Sequence, residues 1–191
     1  QPFLLNRIVR EGHTLGNHTY THPNLALSSP AATNLELNST QRLIQAYTGR
    51  GIRLFRAPYF GDAEPSTADE LGPAQIAQAR GYTIVGLHVD PGDWRTPGTQ
   101  AIVDATVRQV ESATPERSAN VVLLHDGGGN RSQTVAALPA IIDRLRADGY
   151  HFVGVSQLAG LGRDAVMPPI TGGDQAAVRA DVGIFLALAA I

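Results

Sequence analysis

The sequence predicts an α/β fold built from parallel β/α units, and three observations lead there. Short apolar runs bounded by Gly or Pro alternate along the chain with longer segments at helical spacing. The runs are continuously apolar instead of alternating, as strands covered on both faces are. The unusual polar residues fall just after these runs, at the strand ends where β/α folds build their sites.

Each element follows from local signals. Pro2 to Glu11 places Phe3, Leu4, Leu5, Ile8 and Val9 on a helical repeat that Gly12 stops. Ser29-Pro30 reads as the N-cap and first-turn proline of a helix running to about Thr48, before Gly49 and Gly51. Ile52 to Phe55 is a strand between Gly51 and Pro58. Gly72-Pro73 is expected to open a helix that Gly81 ends, and Tyr82 to Val89 (YTIVGLHV) to follow as a strand. A helix over about Gln100 to Ser112 precedes a strand at Val121 to Leu124 (VVLL). The last pair is a helix over Gln133 to Ala147, ended by Gly149, and a strand at His151 to Val155 (HFVGV).

Length and composition bound the answer. The 191 residues suit one domain with a sizeable core, with an ordinary 43% apolar and 17% charged content. A net charge of -2 leaves no basic footprint for nucleic acid. With no cysteine, disulfides, thiol catalysis and cysteine-type zinc sites are excluded. The chain opens at Gln1 with no leader-like segment. Val182 to Ile191 (VGIFLALAAI) is uncharged and mostly apolar. It fits either the first half of a membrane span, which needs roughly 20 such residues, or a buried or amphipathic C-terminal helix. Both ends read as cut. The expected organisation is a β/α body over 1–160, a linker over 161–181 and the apolar segment 182–191.

The polar residues at the strand ends carry the chemistry. His18 and His22 lie four apart in GNHTYTHP, a stretch whose Gly16, Asn17 and Pro23 favour a turn over a helix. They read either as capping or core histidines or as two imidazole ligands of one divalent ion. Arg56, Pro58 and Tyr59 follow the Ile52 strand, as a surface proline turn or as part of a site. Asp90, Asp93 and Trp94 follow the Tyr82 strand, as a turn or a substrate platform. His125, at the end of VVLL and before Asp126 and three glycines, is the sharpest single candidate, because a glycine-rich loop exposes the side chain before it. His13, His88 and His151 read as structural, His13 by packing and the other two within strands. The glycosylation sequons at Asn17 and Asn130 read as chance.

Taken in this order, these residues resemble the polysaccharide deacetylase family, the NodB-homology domain of carbohydrate esterase family 4. GNHTYTH is similar to its H-(S/T)-x-x-H metal motif, RAPYFG to its arginine-proline-tyrosine motif, DPGDW to its D-x-x-D-W motif and LLHD to its L-x-H motif. GYHFVGVSQL resembles its closing strand. The resemblance covers about residues 1–160 and implies a distorted (β/α) barrel of the NodB-homology type. It implies removal of acetyl groups from N-acetylated (or O-acetylated) polysaccharide or oligosaccharide, with metal-activated water attacking the acetyl carbonyl. The ion would be Zn2+, Co2+ or Ni2+, bound by His18 and His22 with an aspartate as third ligand. Arg56 would orient and charge-balance the catalytic base, and the Tyr59 backbone N–H would face the oxyanion. His125 would protonate the leaving amine with Asp93 on its other ring nitrogen, Asp90 being the second candidate for that carboxylate. Trp94 would lie against the sugar ring.

One departure matters. The family's first motif, an aspartate pair supplying the metal carboxylate and the base, is absent: no Asp-Asp occurs among the 191 residues. Because Pro2 to Gly12 resembles the helix before the histidine motif, the expectation is an incomplete barrel lacking its first strands and, alone, an inactive fragment. The alternatives are a non-catalytic carbohydrate-binding relic, or the deacetylase part of a membrane glycosyltransferase joined through MPPITGG and the apolar tail. The implied location is extracytoplasmic, at the cell surface, in the cell wall or anchored to a membrane.

Overall fold

The structure, a computed structural model, describes residues 2–59, 65–112 and 121–189, with side chains described as far as residue 182. The chain divides into two compact units: residues 1–85 with 154–191, and residues 86–153.

The first unit is organised by its longest packed helix. Helix α1 covers Pro2–Arg10, and α2 covers Pro30–Thr48. At the start of α2 the Ser29 hydroxyl accepts the Ala32 N–H at 3.2 Å, and Pro30 supplies a pre-set φ at a position whose N–H would have no partner. Gly49, at φ 68°, ends it in the left-handed conformation that glycine adopts without a Cβ penalty. Between the ends, Thr33, Leu37, Thr40 and Ile44 recur at three- and four-residue intervals, and all four are buried. Leu37 and Ile44 belong to a core with Leu25, Ile52, Leu54, Phe55, Ala77, Tyr82, Val166 and Met167.

The expected parallel pairing is present in this unit. Strand β1 (Leu54–Phe55) pairs in parallel with β2 (Thr83–Ile84), Leu54 opposite Thr83 and Phe55 opposite Ile84, with α3 (Ala68–Ala79) between them in sequence. On its other edge β1 takes Asn17 as a parallel bridge: the Asn17 N–H donates to the Leu54 carbonyl at 2.7 Å, and the Arg56 N–H to the Asn17 carbonyl at 3.0 Å. The histidine turn therefore leaves the end of a parallel strand position. Short helices α6 (Val155–Leu158) and α7 (Arg163–Val166) lead to α8 (Gly173–Ala189), and Arg42 of α2 pairs with Asp181 of α8 at 2.7 Å.

In the second unit, α4 (Thr99–Glu111) and α5 (Ser132–Ala147) pack through Ile102, Val103, Val107, Val110, Ala137, Ile141 and Leu145, with Val89 fully buried among them. Val89 and Val122 form a parallel bridge.

Several boundaries differ from expectation. Helix α3 starts at Ala68, not at Gly72-Pro73, because Thr67 caps it by accepting the Glu70 N–H at 3.3 Å; Pro73 sits inside, buried with Ala77. The runs at Ile52, Tyr82 and Val121 form only two-residue strands or a single bridge, since a ladder needs a partner as well as an apolar run. His151 to Val155 is not a strand: Phe152 and Val153 are exposed, the Arg146 guanidinium lies 5.9 Å from the Phe152 ring, and Val155 opens α6. His13, expected to pack, is exposed, and so are His88 and His151. Among the described residues no helix is long and apolar enough to cross a membrane. Ala190 and Ile191, the last residues of the apolar tail, lie outside the described residues, as do Phe60 and Gly61 of RAPYFG.

Candidate functional site

The first unit brings His18, His22, Arg56 and Tyr59 together. His18 follows directly on Asn17, whose buried amide fixes the start of the turn. Its Nδ2 donates to the Leu37 carbonyl at 2.9 Å and to the Tyr82 hydroxyl at 3.0 Å, and its Oδ1 accepts the Thr19 N–H at 3.0 Å. Thr19 and His22 adopt left-handed φ of 67° and 60°, conformations non-glycine residues hold only when their surroundings impose them. The Thr19 hydroxyl accepts the His22 N–H at 3.1 Å and closes that bend.

The tautomer of His18 follows from its partner. Its Nδ1 lies 2.8 Å from the Arg56 carbonyl, which can only accept, so Nδ1 carries the proton and Nε2 the lone pair. A backbone carbonyl on the far ring nitrogen is the usual orienting contact of a metal-binding imidazole. The His18 and His22 rings meet edge to face with centroids 4.9 Å apart. Two imidazoles binding one ion at about 2.1 Å with a tetrahedral angle place their centroids roughly 5 Å apart, a separation this pair has. Among the described residues no group of three or more His, Asp or Glu could hold a metal.

Tyr59 stacks edge to face on His22 at 5.0 Å, is 68% exposed and has φ 66°. A guanidinium nitrogen of Arg56 lies 3.4 Å from the Val85 carbonyl. Sequence reasoning missed Glu36 of α2. Its Oε2 accepts the Tyr20 and Thr21 N–H groups at 2.7 and 2.8 Å, and its Oε1 accepts the Thr21 hydroxyl at 2.6 Å. Burial pushes this carboxyl up, but the hydrogen bonds from Thr21 and Tyr20 outweigh it and hold Glu36 below the usual range.

The second unit brings His125 and Asp93 together. Asp93 opens a 3-10 turn (Asp93–Arg95), and its side chain is fully buried. One oxygen lies 2.8 Å from His125 Nδ1; the other accepts the His125 backbone N–H at 2.9 Å and the Thr134 hydroxyl at 2.8 Å. Burial alone would raise this carboxyl, but the His125 side-chain and backbone bonds and that of Thr134 prevail and lower it. Thr134 carried no local signal in the sequence, since it is an ordinary first-turn residue of α5. Asp90 does not join this pair: its Oδ1 accepts the Gly92 N–H at 2.8 Å, and its backbone pairs with the Gln109 side chain. Trp94 is 47% exposed, with the Arg95 guanidinium 4.6 Å from its ring centroid. Arg131 donates to the Trp94, Gly127 and Gly128 carbonyls at 3.0, 2.7 and 2.9 Å, tying the glycine loop after His125 to the Trp94 turn.

The polysaccharide deacetylase family matches over residues 1–85. A peptidoglycan-N-acetylglucosamine deacetylase of Bacillus cereus is 36% identical over 159 residues, covering 82% of this chain and 68% of its own. The crystal structure of the Bc1960 peptidoglycan N-acetylglucosamine deacetylase superposes with a TM-score of 0.72 at 27% identity, over 85% of this chain and 70% of that one. A mutant of BA3943, a family 4 pseudoenzyme of Bacillus anthracis, with restored enzymatic activity, gives 0.68 at 28% identity, over 82% and 52%.

Proposed function

Because the chain belongs to the polysaccharide deacetylase family, we propose that it serves the metal-dependent hydrolysis of acetyl groups on an N-acetylglucosamine-containing polysaccharide or oligosaccharide. Its fold class is that of the NodB-type deacetylases, and the first unit carries a two-stranded parallel sheet. The observation that carries the reading is the His18–His22 pair, with the His18 tautomer set by the Arg56 carbonyl and the ring spacing suited to one divalent ion. His18 and His22 would hold a zinc-like cation, which would supply Lewis-acid polarisation of the acetyl carbonyl and lower the pKa of water.

The remaining steps belong to the chain's own residues. His18 presents Nε2 and His22 an imidazole nitrogen to the cation. The Tyr59 N–H donates to the oxyanion, a contact worth roughly 2.7–4 kcal/mol in acyl transfer. Arg56 would balance the charge of the base carboxylate that takes the water's proton, a group the family's aspartate pair supplies and the 191 residues do not contain. In the second unit His125 is suited to general-acid work through Nε2, with Asp93 holding Nδ1 and stabilising the imidazolium. Trp94 offers an apolar face to the sugar.

A second reading, a glycan-binding domain without catalysis, has its own support: the 191 residues contain no aspartate pair, and one structural neighbour is a pseudoenzyme. Metal content and acetate release from an N-acetylglucosamine oligomer separate the two. The measurement is made on the 191 residues, on the same chain supplied upstream with a strand carrying an aspartate pair, and on His18→Ala. The expected result is one bound cation per chain, lost in His18→Ala, and acetate release only when the aspartate pair is supplied. Glycan binding with neither metal nor acetate release in the extended chain establishes the binding reading instead.

A further inference from the structure

We propose that Glu36 is the positioning residue of the histidine turn: from α2 it sets the separation and orientation of His18 and His22 for a divalent cation. This rests on the metal-binding reading of that pair.

Tyr20 and Thr21 occupy the middle of the five-residue turn, and their two N–H groups and one hydroxyl all end on the Glu36 carboxylate, at 2.7, 2.8 and 2.6 Å. Bonds to an ionised acceptor are the strong class, and three of them converge here on one side chain. The inner side is held by the next residue of the same helix: the Leu37 carbonyl accepts from Asn17 Nδ2 at 2.9 Å. Neighbouring residues of α2 thus grip the turn immediately before His18 and between the two histidines. Leu37 is fully buried, so the reference frame is the core itself.

That double grip explains how the turn keeps two left-handed residues, Thr19 and His22, without a glycine at either. Released from Glu36, the Tyr20–Thr21 peptides regain freedom, and the imidazole of His22 with them. Among the described residues Glu36 does not form a ligand cluster with the two histidines, so its influence runs through the turn.

The test compares wild-type chain with Glu36→Ala and Glu36→Gln, titrated with Zn2+ alone by calorimetry, with amide hydrogen exchange at Tyr20 and Thr21 followed in the metal-free proteins. Glutamine can accept both N–H groups through Oε1 and donate to the Thr21 hydroxyl, so it preserves the grip. Expected are a 10–100-fold weaker Zn2+ affinity for Glu36→Ala, the range for lost orienting contacts, and about 3-fold or less for Glu36→Gln. Exchange at both amides accelerates in Glu36→Ala and stays slow in Glu36→Gln. Where Glu36→Ala does not fold, Thr21→Val removes only the hydroxyl contact and gives a smaller loss in the same direction. Wild-type affinity in Glu36→Ala, or a glutamine variant as weak as the alanine one, overturns the proposal. If wild type binds no more Zn2+ than His18→Ala, the metal reading fails, and unchanged exchange in Glu36→Ala then separately overturns the positioning role.

Discussion

Asp93 grips His125 twice, at the ring and at the backbone. One carboxylate oxygen lies 2.8 Å from Nδ1 and the other accepts the His125 N–H at 2.9 Å, so the same buried group sets both where the residue sits and which way its imidazole points. Thr134 donates to the second of these oxygens as well and restrains the carboxylate against rotation.

This arrangement makes part of the stability acid-sensitive. The folded Asp93 carboxyl lies below its ordinary 3.8. A depressed carboxyl contributes stability that is present above the unfolded value and lost as pH falls through the folded one. Thermal unfolding followed against pH is expected to show the midpoint falling below about pH 4, with a shallower fall in Asp93→Asn. At pH 7 that variant is expected to lose about 2 kcal/mol, the scale of hydrogen bonds to a charged acceptor. An unchanged acid slope in Asp93→Asn sinks the assignment.

Asn17 is the corresponding anchor in the other unit, 1% exposed and bonded through both ends of its amide. Asn17→Ala leaves the Leu37 carbonyl and the Thr19 N–H without these partners. The expected loss is about 2–3 kcal/mol by denaturant titration, since each buried group left unsatisfied costs roughly 1–3 kcal/mol. Asn17→Asp is expected to be at least as damaging, because it turns an acceptor toward the Leu37 carbonyl. A change below about 0.5 kcal/mol in both variants, the scale of ordinary surface substitutions, shows that the amide does not hold the turn.

Trp94 is the single tryptophan of the chain, so its emission reports on one place. With the Arg95 guanidinium on its ring and nearly half its surface open, a bound sugar is expected to shift its fluorescence. Titration with N-acetylglucosamine oligomers should give a saturable change, and Trp94→Ala should weaken binding, read by calorimetry, about 10-fold, near 1.4 kcal/mol. Oligomer binding with no change in emission removes Trp94 from the glycan surface.

The parts legible in the sequence were those written locally. Ser29-Pro30 and Gly49 delimit α2 because a cap, a pre-set φ and a left-handed stop act within a few residues. The strand ends at Arg56, Asp93 and His125 could be read from where apolar runs meet glycine and proline, and the spacing of His18 and His22 is a local fact. Other features depend on partners far along the chain. Whether an apolar run becomes a strand depends on a neighbouring backbone, which Leu54 finds at Thr83 and His151 to Val155 does not find among the described residues. The choice between Asp90 and Asp93 turned on which carboxylate is buried against His125, and no spacing rule decides that. Glu36 and Thr134 carry no motif at all. Their roles come from hydrogen bonds to residues 15 and 41 positions away, and such bonds exist only once the core has fixed the helices that present them.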